Sequence, residues 1–136
     1  MDGTGDLLMA AGRALRRRFA AALVAWEISP GQSRALRMVG TSEEPIRLST
    51  LAERLRIVPR SATEVVDALE GRGLVARQAD PTDRRATCVV LTDEGERLLA
   101  LIEKARAQAA DDYLSVLGPG ERAQLDRILT RLLEQD

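Results

Sequence analysis

STLAERLRIVPRSATEVVDALEGRGLVAR, residues 49–77, is the stretch whose reading decides the fold. Ser49 is the expected cap of a short helix, Thr50 to Leu55, with Leu51, Ala52 and Leu55 facing inward. Arg56-Ile57-Val58 makes a turn. Pro59 then opens a second helix, since proline suits the first helical position, where no amide is needed. This helix is expected to last to about Arg72. Ala62, Val65, Val66 and Leu69 recur three and four residues apart, and Gly73 closes it as a left-handed C-cap. Two helices joined by a turn of about three residues have the form of a helix-turn-helix.

Downstream, Leu74–Arg77 is short and β-capable, Asp80-Pro81-Thr82-Asp83 is turn chemistry, and Ala86–Leu91 is rich in β-branched residues. A hairpin directly after a helix-turn-helix is a wing. Thr92 caps a long helix expected to reach Leu117, with Asp93, Glu94 and Glu96 favourably placed in its first turn. Gly118-Pro119-Gly120 breaks it before a last helix, Glu121 to Leu133, with Leu125, Ile128, Leu129 and Leu132 on one face. Upstream, residues 5 to 27 read as one long helix. Ser29-Pro30-Gly31-Gln32 forms a capping box for another, which Gly40 ends, and Thr41–Arg47 reads as a polar loop. The expected fold class is mainly α (α+β): a winged helix-turn-helix lobe with terminal helices forming a dimerisation region. Residues 1–136 make a single domain, with 30–91 as the lobe and 1–28 and 92–136 as the dimerisation helices.

Composition narrows the chemistry. The 136 residues contain no histidine and one cysteine, Cys88, which rules out a serine–histidine triad, an intrachain disulfide and a cysteine zinc site. No metal site, cofactor or enzymatic activity is expected. Phe19, Trp26 and Tyr113 are the only aromatics, too few for a single-strand stacking platform. No apolar run approaches the ~18–20 residues of a membrane span, and MDGTGD does not read as a secretion signal, so a cytoplasmic location is expected. The net charge is −1, but residues 34–85 carry ten arginines against eight acids, while residues 86–136 carry six cations against ten acids. Of the 20 cations only Lys104 is not arginine, and arginine is the better fork for phosphates and guanine edges.

With one face of the second helix buried, Arg60, Ser61, Thr63, Glu64 and Asp67 look outward. Arg60 can fork onto guanine or hold a phosphate. Thr63 can bond a base edge or touch a thymine methyl, and Glu64 can accept from a cytosine amine. Pro59 and Ser61 fall at the helix N-terminus, where free amides favour phosphate. A solvated surface helix can carry the same polar face, so the wing is the sharper signal. Arg84 and Arg85 at its tip suit a minor groove, and Asp83 is read as a structural anchor that holds a guanidinium or caps loop amides. Arg77, in the first wing strand, completes the candidate DNA-contacting set. Cys88 is most simply a small buried hydrophobe. The terminal helices carry apolar faces with little to pack on. Leu7, Leu8, Leu15, Ile128, Leu129 and Leu132 are therefore candidates for an interface with a second copy, and Trp26 and Met38 for lining a small-molecule pocket. A different reading keeps the winged fold as a protein-interaction module that no longer binds DNA, on the strength of Glu64, Asp67 and the net charge.

Leu51-Ala52-Glu53-Arg54-Leu55, Val58-Pro59-Arg60-Ser61-Ala62-Thr63 and Asp67-Ala68-Leu69-Glu70 together resemble the multiple antibiotic resistance regulator (MarR) family. The likeness continues through Gly73-Leu74-Val75-Ala76-Arg77, Asp80-Pro81-Thr82-Asp83-Arg84-Arg85 and Leu91-Thr92-Asp93-Glu94-Gly95. The resemblance implies a homodimeric transcription regulator on a pseudo-palindromic double-stranded operator, with recognition helices in successive major grooves and wing arginines in the flanking minor grooves. It implies recognition-helix contacts by Arg60, Ser61 and Thr63, a wing-tip contact by Arg85 with Asp83 as its partner, and repression relieved by a small, often phenolic, effector. Glu64 departs from the basic residue that often follows the threonine, which lowers phosphate affinity.

Overall fold

The computed structural model describes residues 3–135; Met1, Asp2 and Asp136, at the ends of the expected single domain, lie outside them. The elements in order are α1 (Thr4–Leu23), α2 (Pro30–Thr41), β1 (Ile46–Arg47), α3 (Leu48–Leu55), α4 (Pro59–Gly71), β2 (Val75–Ala79), β3 (Thr87–Leu91), α5 (Asp93–Leu114) and α6 (Pro119–Leu133). The three strands form one antiparallel sheet in the order β1-β3-β2. Mainly helical with a small sheet, it is a winged helix fold, as expected.

Several boundaries differ from the sequence reading, each for a local reason. The first helix ends at Leu23 and tightens into a 3₁₀ turn, Val24–Trp26, stopped by Glu27 in a left-handed conformation (φ 52°). The next helix does not stop at Gly40 but runs through it to Thr41. Gly40 is there for space: a Cβ would run into the side chains of Leu99 and Leu91. Ser49 is not the cap of α3, which starts at Leu48 behind Arg47 with no side-chain cap. The reason is the strand β1, hidden in the expected polar loop. Ile46 is buried and pairs with Val89, and Arg47 pairs with Cys88, so the chain enters the helix directly from the sheet. Further on, α5 ends at Leu114 rather than Leu117, and α6 begins at Pro119 behind Gly118, earlier than Glu121.

One core joins these elements. Leu23, Leu36, Ile46, Leu51, Leu69, Val89 and Ile102, from α1, from five helices and strands of the lobe and from α5, meet in it. The junction between α4 and α5 is especially close. Gly73, at φ 74°, turns the chain out of α4, and its amide and that of Leu74 donate back to Glu70 and Leu69 oxygens. Thr92 then ties both ends together: its hydroxyl donates to Gly73 O (2.6 Å) and accepts from the Gly95 amide (3.0 Å). Gly95 lies so near Leu74 O that a Cβ has no room against the backbone. Outside the core, α1 lies along α5, and α6 has no buried residue among those described.

Gly95→Ala is therefore expected to destabilise the protein by about 1–3 kcal/mol through overpacking. Gly71→Ala, at a helical position with open space, should be neutral or stabilising by up to ~1 kcal/mol. Denaturant unfolding of the two variants checks the contrast.

Candidate nucleic-acid interface

Burial of Ala62, Val66 and Leu69 holds α4 against the core and turns its other side to solvent. Pro59, Arg60, Glu64 and Asp67 are exposed, and Ser61 and Thr63 are half-buried at the edge. No side chain caps this helix, so its first amides stay open to an anion. The Thr63 hydroxyl donates to Pro59 O (3.1 Å). Its proton is thus committed, leaving the oxygen as an acceptor and the methyl as an apolar contact.

The wing is a five-residue β2 and a five-residue β3 in register from Val75–Leu91 to Ala79–Thr87. Its tip is organised at two levels. Near the end, Asp83 Oδ1 accepts from the Arg85 amide (3.0 Å) and Asp83 O accepts from the Ala86 amide (3.0 Å), so Asp83 caps a loop amide. Arg84 and Arg85 are exposed, and neither they nor Arg60 form an ion pair among the described residues. At the root, Asp80 is buried, although it reads in the sequence as ordinary turn chemistry. Its carboxylate accepts from the Thr82 amide and hydroxyl (both 2.8 Å) and from Arg47 Nε (2.5 Å). These bonds hold it well below the usual carboxylate range, the Thr82 amide first and then the Thr82 hydroxyl, against the opposing effect of burial, with Arg47 adding a smaller lowering.

Arg77 is placed differently from the other members of the candidate set. Its Nη2 pairs with Asp67 (2.5 Å) and its Nη1 with Glu70 (2.6 Å), two carboxylates of α4. The guanidinium is raised above its ordinary value mainly by the Asp67 bond. Arg77 thus ties β2 to α4 and neutralises acids on the exposed helix face. Arg72 also escaped the sequence reading: it donates to Trp26 O (2.8 Å) and Glu27 O (3.1 Å), closing the 3₁₀ turn against the end of α4. Nothing in a lone arginine before a C-cap glycine advertises so distant a partner.

Among the remaining candidates, Leu7, Leu8, Ile128 and Leu132 are exposed and Leu15 and Leu129 half-buried. They leave apolar faces on α1 and α6. Trp26 and Met38 pack against the core as partly buried residues. Neither lines a cavity of about 680 Å³ that lies where α1, α2 and α5 meet. Its lining combines apolar residues such as Phe19, Ala20, Leu23 and Pro30 with arginines of all three helices, Arg106 among them. Met38 borders a smaller cleft of about 390 Å³ between α2 and α3. In the large cavity Arg106 lies over the Phe19 ring (4.3 Å to its centroid) and is lowered from its ordinary value by burial and by Arg37.

Cys88 is buried, with Asp80 Oδ2 3.8 Å from its sulfur, and its thiol is pushed up by burial first and by that carboxylate second. A small disulfide reagent should therefore modify Cys88 only as fast as the lobe opens, and addition of denaturant should remove the protection.

A MarR family profile matches residues 28–87. A Thauera aromatica protein proposed as a transcriptional regulatory protein for the hcr operon is 34% identical over 121 residues, 88% of this chain and 72% of that protein. The HTH-type transcriptional repressor MdtR of Bacillus subtilis is 33% identical over 89 residues, and this chain spans 57% of its length. Among solved structures, apo MarR from E. coli superposes with a TM-score of 0.90 at 22% identity, over 98% of both chains. A Mycobacterium tuberculosis MarR family protein in complex with DNA superposes with a TM-score of 0.83 at 25% identity, over 97% of this chain and 98% of that one. With a relative this similar over most of its length, and with the winged helix in place, the chain belongs to the MarR family.

Proposed function

We propose that this protein is a sequence-specific double-stranded DNA-binding transcription regulator, acting as a homodimeric repressor relieved by a small ligand. The observation that carries the DNA reading is the state of its arginines. Arg47 and Arg77, beside the wing, are engaged by carboxylates of the chain itself, whereas Arg60, Arg84 and Arg85 are exposed without such a partner among the described residues. Cations left unpaired on a helix end and a hairpin tip suit a phosphate backbone and a narrow minor groove. Arg60, Ser61, Thr63 and Glu64 would meet base edges, with the open amides behind Pro59 near a phosphate and Asp83 shaping the wing tip. Arg77 serves this reading indirectly, by bridging Asp67 and Glu70 and offsetting one of their two negative charges on the helix that enters the groove.

The apolar faces of α1 and α6 support a second copy, built from Leu7, Leu8, Leu15, Ile128, Leu129 and Leu132, which would place two lobes on half-sites about one turn apart, ~34–36 Å. The arginine-lined cavity is the better seat for an effector than the surroundings of Trp26 and Met38. A ligand there would touch α1 and α5 of the base and α2 of the lobe. It would act only through unequal affinity for two lobe spacings. The interaction-module reading loses support, because Asp67 is spent on Arg77, which leaves Glu64 as the acid of that face without an ion pair among the described residues.

Selection of bound duplexes from random DNA should return a two-fold symmetric site; recovery of no duplex would overturn the proposal. On that site, log K against log salt should have a slope steeper than about −4, from several phosphate contacts per dimer. Arg85→Ala should cost about 1–3 kcal/mol of binding at matched salt. Arg77→Ala should weaken binding severalfold, and the loss should be recovered when Asp67→Asn and Glu70→Gln are added. Electrophoretic shift or anisotropy titrations read each of these, and an Arg77→Ala loss unmoved by neutralising the two acids would refute the indirect role.

A further inference from the structure

We infer that Asp80 and Arg47 are positioning residues for DNA binding, a clamp that holds the wing turn, residues 81–85, against the start of the helix-turn-helix. This rests on the DNA reading above. Beyond Asp80 and Ala86, whose amide and carbonyl still bond across the hairpin (3.1 Å), the wing is an exposed loop outside the β2–β3 ladder. Asp80 stands where β2 ends, and Arg47 is both the last residue of β1 and the residue just before α3. Their 2.5 Å ion pair therefore joins the wing turn to the first helix of the helix-turn-helix, across a sheet in which Arg47 already opposes Cys88. The Arg47 Nη2 also reaches the Thr82 hydroxyl (3.5 Å), which itself donates to Asp80. Every strong donor of the cluster converges on one buried carboxylate, and neither partner points a free charge at a ligand.

Arg85 adjoins Ala86, whose carbonyl accepts the Asp80 amide (3.1 Å), so its side chain leaves the hairpin at the clamped level and takes its direction from the turn that Asp80 shapes. A minor groove is only ~6 Å wide, so a change in that direction carries the guanidinium out of it. A loosened root would leave Arg85 present and charged but seldom in register with α4.

The test uses a duplex selected by the wild-type protein and a shortened version that lacks the base pairs flanking the two half-sites. Asp80→Asn is expected to bind the long duplex about tenfold more weakly and the short duplex like wild type. Adding Asp80→Asn to Arg85→Ala should cost little more than Arg85→Ala alone, because both act through one contact. Arg47→Gln should reproduce the pattern if Asp80→Asn folds poorly. Amide exchange at Thr82 and Arg85 should quicken in both variants, with Leu69 and Val89 still protected. Equal losses on both duplexes, additivity with Arg85→Ala, or unchanged exchange at the wing would each overturn the clamp. Failure of the wild-type protein to retain any duplex would overturn the DNA reading itself and the clamp with it, whereas tight wild-type binding with an unaffected Asp80→Asn would overturn the clamp alone.

Discussion

Insertion of Ala62, Val66 and Leu69 into the common core is the constraint on which the rest of this molecule depends. These side chains set the rotation of α4 about its own axis, and that rotation decides which residues solvent and any ligand can reach. Arg60 and Glu64, four apart and on one face, are outside because Ala62 and Val66, two positions from them, are inside on the opposite face. The same burial positions the start of the wing, since Leu69 accepts the turn through its backbone and Leu74 and Val75 follow it into the core.

Around that helix the charges are divided between two tasks. Carboxylates of the lobe hold Arg47 and Arg77, and backbone carbonyls hold Arg72. These arginines bind elements to one another. Other arginines, on the wing tip and at the start of α4, face solvent, while around the cavity between α1, α2 and α5 Arg37 pairs with Glu103 and Arg106 lies over Phe19. A net charge of −1 conceals this division entirely. What matters for recognition by a polyanion is the local field of exposed cations, and the excess of acids that balances the total lies in residues 86–136, with ten acids against six cations.

Family membership and architecture were legible in the sequence because their signals are local. A capping box at Ser29 and Gln32, a proline at the first position of α4, a left-handed glycine at 73 and a threonine cap at 92 each act within four residues, and each is present in the structure. Helix periodicity likewise identified the inward residues of α3 and α4. The ends of elements were read less well where a distant partner decides them. Gly40 looks like a stop signal until Leu91 and Leu99 are seen against it, and Ser49 looks like a cap until the strand before it is paired.

Sequence alone thus determined the order of the elements, the buried face of α4 and the location of the arginine-tipped turn, since each follows from backbone preferences and short-range spacing. Tertiary structure alone decided which charges remain unpaired. Asp80 finds Arg47, Arg77 finds Asp67 and Glu70, and Arg72 finds the carbonyls of residues 26 and 27, and most of these partners are ten to forty-six positions apart. An ion pair across such a span leaves no periodicity behind, because it depends on how sheet and helices are laid side by side and not on the residues that adjoin it in the chain.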